Sequence, residues 1–205
     1  MPERKNKEFE LRGVNHLALV CVDMARTVDF YSNVLGMPLV KTIELPGGMG
    51  QHFFFDMGGG DSLAFFWFPE SPERAPGVAS PARIVGEGSI ATAHGSMNHV
   101  AFDVAPEKME DYRERLLAKG IEVTEIVNHD NSPMQVSGTI TDDVFVRSMY
   151  FFDPDGVMLE FAAWTRELRP DEAQLRGVGP AEKESYLEQQ RASVETLKQR
   201  AESKS

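Results

Sequence analysis

The chain contains the same short sequence twice, and this repeat limits the folds that it can adopt. Residues 15–19 are NHLAL and residues 98–102 are NHVAF, each a short apolar segment that begins with Asn-His. Runs of this length and composition are typical of β-strands. The repeat therefore predicts two copies of one structural module within the chain.

Each repeated strand is followed by a predicted helix. The first helix spans about Met24 to Leu35, with Asp23 as its N-cap and Gly36 just beyond its end. The second spans about Pro106 to Lys119, where proline suits the first helical position and Gly120 the position after the last. Apolar residues recur in both at helical spacing, which predicts helices that pack one face against a sheet.

The repeat continues beyond the helices. Further strands are predicted near Pro38–Ile43 and Ile121–Val127. The segments 52–68 and 149–164 each contain an aromatic strand, a turn with Asp and Gly, and a second apolar strand, which predicts a hairpin. Each half is therefore β-α-β-β-β. The predicted fold class is α+β, because this order lacks the helical crossovers of a fully parallel sheet.

The repeat also sets the predicted domain boundaries. Residues 1–11 form an N-terminal tail, 12–68 the first βαβββ module and 98–165 the second. Residues 69–97 are rich in Pro, Gly, Ser and Ala, which predicts a linker between the modules or a lid over a site. Residues 166–205 are charged with a thin apolar stripe. They predict a helical tail lying on the surface or on a second subunit, with disorder as the alternative.

Composition argues against several classes of function. The formal net charge of -11 disfavours a nucleic-acid partner, because phosphate binding needs a basic face, and it disfavours an anionic membrane surface. Cys21 is the single cysteine, so neither an internal disulfide nor a cysteine metal cluster can form. No stretch approaches the roughly 18 apolar residues of a membrane span. The N-terminus lacks the pattern of a secretory signal, and a cytoplasmic protein is expected.

The paired modules resemble the vicinal oxygen chelate superfamily, which includes glyoxalase I, bleomycin-resistance proteins and type I extradiol dioxygenases. The resemblance covers about residues 12–165. It implies two βαβββ modules that form a curved, open barrel-like sheet around one metal site, the glyoxalase/dioxygenase fold. It also implies that His16, its repeat partner His99, and Glu160 on the last strand of the second module bind one divalent metal.

The second hairpin is similar to the signature of extradiol dioxygenases. Residues 150–160, YFFDPDGVMLE, match its second half, in which the tyrosine contacts the substrate and the glutamate binds iron. The resemblance thus implies that Tyr150 is a catalytic and substrate-binding residue. Two histidines and one carboxylate leave three positions of a metal open, as in non-heme Fe(II) oxygenases. Fe(II) is the expected metal, with Mn(II), Ni(II), Co(II) and Zn(II) as alternatives.

The first module decides whether a fourth ligand is present. Glyoxalase I-like relatives have a carboxylate on its last strand, but the repeat places Ala64 at the position that corresponds to Glu160, and alanine cannot bind a metal. Three ligands favour an oxygen-activating site over an isomerase site. His52, on the adjacent strand, is the alternative fourth ligand. The repeat aligns it with Met149, so strict alternation turns it away from the metal unless a bulge in the glycine-rich hairpin restores it.

An acid/base histidine of the extradiol dioxygenases is missing. In those enzymes it stands shortly before the signature tyrosine, where this chain has Thr141, Asp142 and Asp143. The sequence therefore predicts that His52, His129 or an aspartate takes this catalytic role, or that the reaction differs.

Three functions follow from these patterns. The first is a metal-dependent dioxygenase that acts with dioxygen on a catechol-like or related aromatic substrate, with Phe54 and Phe66 lining an apolar pocket for it. The second is a glyoxalase I-like lyase, isomerase or epimerase that uses a divalent metal for proton transfer. The third is a metal-free drug-binding protein of the bleomycin-resistance kind. Relatives with one pair of modules often dimerise, so a homodimer is expected.

Overall fold

A computed structural model describes residues 8–9, 11–83 and 90–202 of the chain. The described residues up to Glu167 form one compact unit that contains both modules. Those from Leu168 onward form a second unit, which contains a helix over Lys183–Glu202. None of the helices in the described residues is long and apolar enough to cross a membrane.

The first module forms a four-stranded sheet with one short α-helix. Its elements are β1 (His16–Val20), α1 (Met24–Val28), β2 (Leu39–Leu45), β3 (Gly50–Gly58) and β4 (Asp61–Trp67). The strand order is β1-β4-β3-β2, with β1 parallel to β4 and the other pairs antiparallel.

The second module repeats this arrangement with one additional short strand. Its elements are β5 (Val100–Asp103), α2 (Met109–Ala118), β6 (Val127–His129), β7 (Val136–Ser137), β8 (Val146–Phe152) and β9 (Met158–Trp164). The strand order is β5-β9-β8-β6-β7, and β5 runs parallel to β9. The two sheets stay open, and the prediction of an α+β fold built from two βαβββ modules is confirmed.

The first predicted helix is shorter than expected. Asp23 caps α1 as predicted, since its side chain accepts a hydrogen bond from a backbone N–H of the first turn. The α-helix does not continue to Leu35, because Asp29–Val34 forms a π-helix. The wider turn of a π-helix changes the direction of successive side chains. Here it accompanies the burial of two adjacent aromatic residues, Phe30 and Tyr31, in the core.

Two other predicted boundaries also change. The second helix begins as a 3₁₀ turn over Pro106–Lys108 before α2 starts. The strand predicted over Ile121–Val127 is wrong, because β6 begins only at Val127 and the isolated bridge from Val123 to Phe151 is the pairing found before it. The apolar side chains of this segment pack into the core, which explains why the segment resembles a strand.

Alternation along the strands gives each sheet a helix side and an open face. In β1, Leu17 and Leu19 pack against the core, whereas His16, Ala18 and Val20 are exposed. The helix sides of both sheets contribute to one continuous core, so the modules contact each other through that side. We call the side of each sheet that faces away from the helices its open face. It bears His16 in the first module and Glu160 in the second, and a site can form on it.

Asp153 links the two modules inside this core. The hydroxyl of Tyr31 donates a hydrogen bond to Asp153 Oδ2 at 3.0 Å, across the boundary between the modules. Asp153 Oδ1 accepts backbone N–H groups from Asp155 at 2.9 Å and Val157 at 2.7 Å. Burial raises the pKa of Asp153 to about 6, although these hydrogen bonds oppose the shift. Asp153 therefore joins the two modules in addition to holding the turn of the second hairpin.

The raised pKa of Asp153 predicts that its contribution to stability falls as pH rises. The folded state holds the proton up to a pH of about 6, whereas the unfolded chain releases it near its ordinary value of 3.8. The free energy of unfolding should therefore lose roughly 1 to 2 kcal/mol from this group between about pH 5 and pH 7.5. Urea denaturation at both pH values should show this loss in the wild type and not in Asp153→Asn. An equal pH dependence in both proteins would refute the assignment.

Candidate metal centre

His99 and Glu160 form a pair at the centre of the second open face. His99 precedes β5, and Glu160 lies on β9 directly beside Ala101 of β5, so both side chains project from the same face. His99 Nε2 lies 2.9 Å from Glu160 Oε2. Only 6% of Glu160 is exposed. A carboxylate buried to this extent needs a cationic partner or a metal.

His99 and Glu160 each shift the pKa of the other. The hydrogen bond to Glu160 raises the pKa of His99 above its ordinary value, although burial acts in the opposite direction. For Glu160, burial acts to raise the pKa, but the neighbouring polar groups of His99, Ser148 and Tyr150 outweigh it and the pKa is lowered. Each of the two groups therefore favours the charged form of the other. An imidazole and a carboxylate held this close are the donors that a divalent transition metal prefers, so these residues fit a metal.

Asn98 orients His99. Its side-chain oxygen lies 2.8 Å from His99 Nδ1, and because an amide oxygen only accepts, Nδ1 is the donor. This leaves Nε2 as the nitrogen available to a metal. Metal-binding histidines commonly donate their other ring N–H to such an acceptor, which fixes the ring and its tautomer.

Tyr150 completes the surroundings of Glu160. It lies on β8 directly opposite Glu160, and its ring meets the ring of His99 edge to face at 5.9 Å. Burial, followed by the charge of Glu160, raises the pKa of Tyr150 to about 12. Its hydroxyl therefore keeps its proton at neutral pH and acts as a hydrogen-bond donor. This position is compatible with the substrate-contacting role implied by the dioxygenase resemblance.

His16 repeats the geometry of His99 in the first module. Its Nδ1 lies 2.7 Å from the side-chain oxygen of Asn15, which leaves Nε2 available in the same way. The register confirms the repeat alignment, because Phe54 pairs with Ala64 as Tyr150 pairs with Glu160. No carboxylate therefore stands on β4 at the position of Glu160.

One chain does not bring His16 to the His99–Glu160 pair. Among the described residues, no three His, Cys, Asp or Glu side chains lie close enough together to hold a metal ion. The sequence-based expectation of three ligands meeting within one chain is therefore not met, although two of the three do meet. His16 begins a strand of the first sheet, His99 precedes a strand of the second, and the helix sides of both sheets pack into one core.

His52 lies on the open face of the first sheet, contrary to the prediction from the repeat. The register pairs His52 with Phe66 on β4, so its counterpart in the second module is Ser148 rather than Met149. A slip of one residue in a strand alignment reverses the face of every side chain, which explains the error. His52 is buried, its Nδ1 lies 3.1 Å from the carbonyl oxygen of Phe65, and its ring stacks on Phe66.

The other residues predicted for the site, Phe54 and His129, also lie on the open faces. Phe54 contacts the rings of both His16 and His52, at 5.6 Å and 4.3 Å between centroids. His129 ends β6 and shares the open face of Tyr150, because its partner Val146 stands an even number of residues from Tyr150. The orienting roles of the two asparagines were missed from the sequence, although the repeated Asn-His dipeptide was the signal for them.

Comparison with known proteins identifies the family. The family model of the Glyoxalase/Bleomycin resistance protein/Dioxygenase superfamily matches residues 13–161. This match spans most of the chain, and the chain therefore belongs to that superfamily. The resemblance inferred from the repeated modules is confirmed.

Individual relatives are more distant. The fosfomycin resistance protein FosX of Listeria innocua serovar 6a is 24% identical over 159 residues, which cover 78% of this chain and 95% of FosX. The crystal structure of SMU.1112c has 29% sequence identity and a TM-score of 0.51, covering 74% of this chain and 98% of that one. The structure of FosX from Listeria monocytogenes complexed with Mn(II) and a sulfate ion has 20% identity and a TM-score of 0.47, covering 76% and 94%.

Proposed function

We propose that this chain is a metal-dependent enzyme in which His16, His99 and Glu160 hold one divalent metal. The observation that carries the proposal is the close approach of His99 Nε2 to the buried carboxylate of Glu160, with Nε2 and Oε2 2.9 Å apart. His99 Nε2 and the Glu160 carboxylate would hold the metal, which would supply a Lewis acid at this position. Asn98 and Tyr150 would remain as hydrogen-bonding partners of the two ligands.

A second copy of the chain is proposed to supply His16. Strands β1 and β5 each stand at an edge of their sheet, so their outer backbone groups have no strand partner within the described part of the chain. Such edges favour pairing with another chain. Val20 on β1 is 50% exposed, and the nearby Val22 is 62% exposed. A twofold dimer that pairs β1 with β5 of the second copy would give two equivalent sites.

The reaction proposed first is ring cleavage by dioxygen at an Fe(II) centre. It is favoured because three protein ligands leave three positions open and because Tyr150 and Glu160 match the dioxygenase signature. When bound, Fe(II) would chelate two neighbouring substrate oxygens, lower the pKa of the bound hydroxyl and orient it toward dioxygen. Tyr150, which retains its proton, would donate a hydrogen bond to a substrate oxygen. Asn98 and Asn15 would keep both histidine rings oriented.

The alternative reaction is a non-redox, metal-dependent proton transfer. A non-redox enzyme of the glyoxalase I, lyase or epimerase kind would use Mn(II), Ni(II), Co(II) or Zn(II) for proton transfer beside a chelated oxygen. The similarity to FosX, a fosfomycin resistance protein, favours this alternative. It needs a base, and His52 is the candidate on the open face of β3. The metal-free binding protein is the weakest alternative, because it gives no function to the buried Glu160 carboxylate beside His99.

Loading the protein with metal under anaerobic conditions distinguishes the dioxygenase from the non-redox enzyme. Protein loaded with Fe(II) and then given oxygen should consume dioxygen on a panel of catechols and form a coloured ring-cleavage product. Protein loaded with Mn(II) or Zn(II) should not. Absence of oxygen uptake on every catechol, together with anaerobic turnover of a hemithioacetal, would reject the dioxygenase in favour of the non-redox enzyme.

A further inference from the structure

A crevice opens on the helix side of the protein, where the two modules meet. Its volume is about 450 Å³, within the range of cavities that hold small molecules. The first module contributes residues 34–38, which follow the π-helix, and residues 56–57 at the end of β3. The second contributes residues 102–104 at the end of β5, one side of α2, and Phe161 of β9. The crevice therefore lies apart from the open faces that carry the proposed metal ligands.

Apolar side chains line the inside of the crevice. Phe102 and Leu116 are buried at its base. Its other apolar residues are only partly buried at the edge of the core and include Val34, Leu35, Met37, Met57, Tyr112 and Phe161. Apolar side chains that stay partly exposed within a cavity are typical of small-molecule binding sites.

Two basic residues at the end of α2 stand at the mouth of the crevice. Arg115 and Lys119 are about one helical turn apart, and both are exposed. Arg115 binds the carboxylate of Asp111 through Nε and Nη2, at 3.1 Å and 2.7 Å, which leaves the N–H groups of Nη1 without a partner in the described chain. Lys119 Nζ donates to the carbonyl oxygens of Asn33 and Val34, which leaves one N–H. Asp111 offsets one of the two positive charges, and the other remains.

The two carboxylates that border the crevice point away from it. Phe55 and Phe102 pack into the core, so alternation directs the side chains that follow them, those of Asp56 and Asp103, to the opposite face. Asp56 Oδ1 is also held in the first hairpin, where it accepts the backbone N–H of Gly58 at 2.8 Å. The crevice is therefore apolar inside and positively charged at its mouth, in a chain with a formal net charge of -11.

We propose that this crevice binds a small apolar carboxylate, with the hydrocarbon part between the modules and the carboxylate at Arg115 and Lys119. Arg115 Nη1 and Lys119 Nζ would donate hydrogen bonds to the two carboxylate oxygens, and such charge-assisted bonds are stronger than neutral ones. The guanidinium of Arg115 is placed for this role by Tyr112, because it lies 5.6 Å from the centre of that ring. The site needs no metal and is independent of the proposed reaction.

Calorimetric titration of the metal-free protein in EDTA tests the site. Octanoate is the probe, and octylamine, which has the same number of carbon atoms and the opposite charge, is the comparison. We expect octanoate to bind at least about tenfold more tightly than octylamine. Arg115→Gln should weaken octanoate binding about tenfold, because it removes a charged donor at an exposed position. Lys108→Gln is the matched control, since Lys108 is exposed on the turn before α2 and does not line the crevice.

Amide chemical shifts then locate the probe on the protein. Octanoate should move the signals of residues 34–38 and 112–119 and leave those of Asn98 and His99 in place. Val104→Phe should abolish these changes, because Val104 lines the crevice and the larger side chain would fill it. Equal binding of octanoate and octylamine would overturn the proposal, as would equal octanoate affinity of Arg115→Gln and the wild type. Shifts confined to the surroundings of His99 and Glu160 would place the probe on the open face and would also overturn it.

Discussion

His16→Ala and His99→Ala chains should each lose bound metal alone and recover it when they form a mixed dimer. If His16 of one copy completes the site of the other, the mixed dimer contains one site with all three ligands and one site with neither histidine. Co-expression of the two variants with different affinity tags, followed by purification through both tags, isolates this dimer. Metal analysis should give about half the wild-type content per dimer.

A matched control dimer should bind almost no metal, in contrast to the mixed dimer of the two single variants. A chain that carries both His16→Ala and His99→Ala is paired with a wild-type chain and purified in the same way. Each of its two sites then lacks one histidine, so this dimer should bind almost no metal. A site within one chain predicts the opposite results, because the wild-type chain would keep its metal and the two single variants would not complement each other. Metal in the control dimer and none in the first would contradict assembly between chains.

Replacement of Glu160 by glutamine should weaken metal binding by about a hundredfold or more, since even residues around a ligand contribute tenfold to a hundredfold. The substitution preserves size but removes the charge that both the metal and His99 require. Glu160 is buried beside Tyr150, and water cannot fully replace its carboxylate there. Competition with a chromogenic chelator measures the Mn(II) dissociation constant directly.

A surface glutamate provides the comparison for this effect. Glu44 is exposed on β2 and accepts a hydrogen bond from Gln51 at 3.1 Å. Glu44→Gln makes the same chemical change without altering a proposed ligand, so its dissociation constant should match that of the wild type. If both variants retained the wild-type affinity, Glu160 would not be a metal ligand.

The repeated Asn-His dipeptide, with the helix and hairpin patterns that follow each copy, was sufficient to predict the modular fold. Local signals in the sequence agreed with it, because Asp23 caps α1 and the glycines Gly36 and Gly120 adopt the positive φ angles, +78° and +75°, expected after a helix. The pairing of Ala64 with the position of Glu160 also followed correctly from the repeat. These features depend on local chemistry or on equivalence between the two copies.

Properties that depend on register and assembly could not be predicted in this way. The face of His52 depends on strand alignment, and an error of one residue assigned it to the wrong side. The π-helix over Asp29–Val34 accompanies the packing of Phe30 and Tyr31 in a core formed by both modules, which no local pattern shows. His16 can meet His99 either within one chain or between two chains, depending on which modules pair. The sequence repeat is identical in both arrangements, so it cannot distinguish them.

Anomalous diffraction from crystals of the Mn(II)-loaded protein tests the central claim most directly. The proposed metal site predicts one manganese peak for each chain, at coordination distance from His99 Nε2 and the Glu160 carboxylate. The third protein ligand should be His16 of a second copy. A manganese peak bound elsewhere, or no peak beside His99 and Glu160 still in direct contact, would contradict the claim that these residues form a metal site.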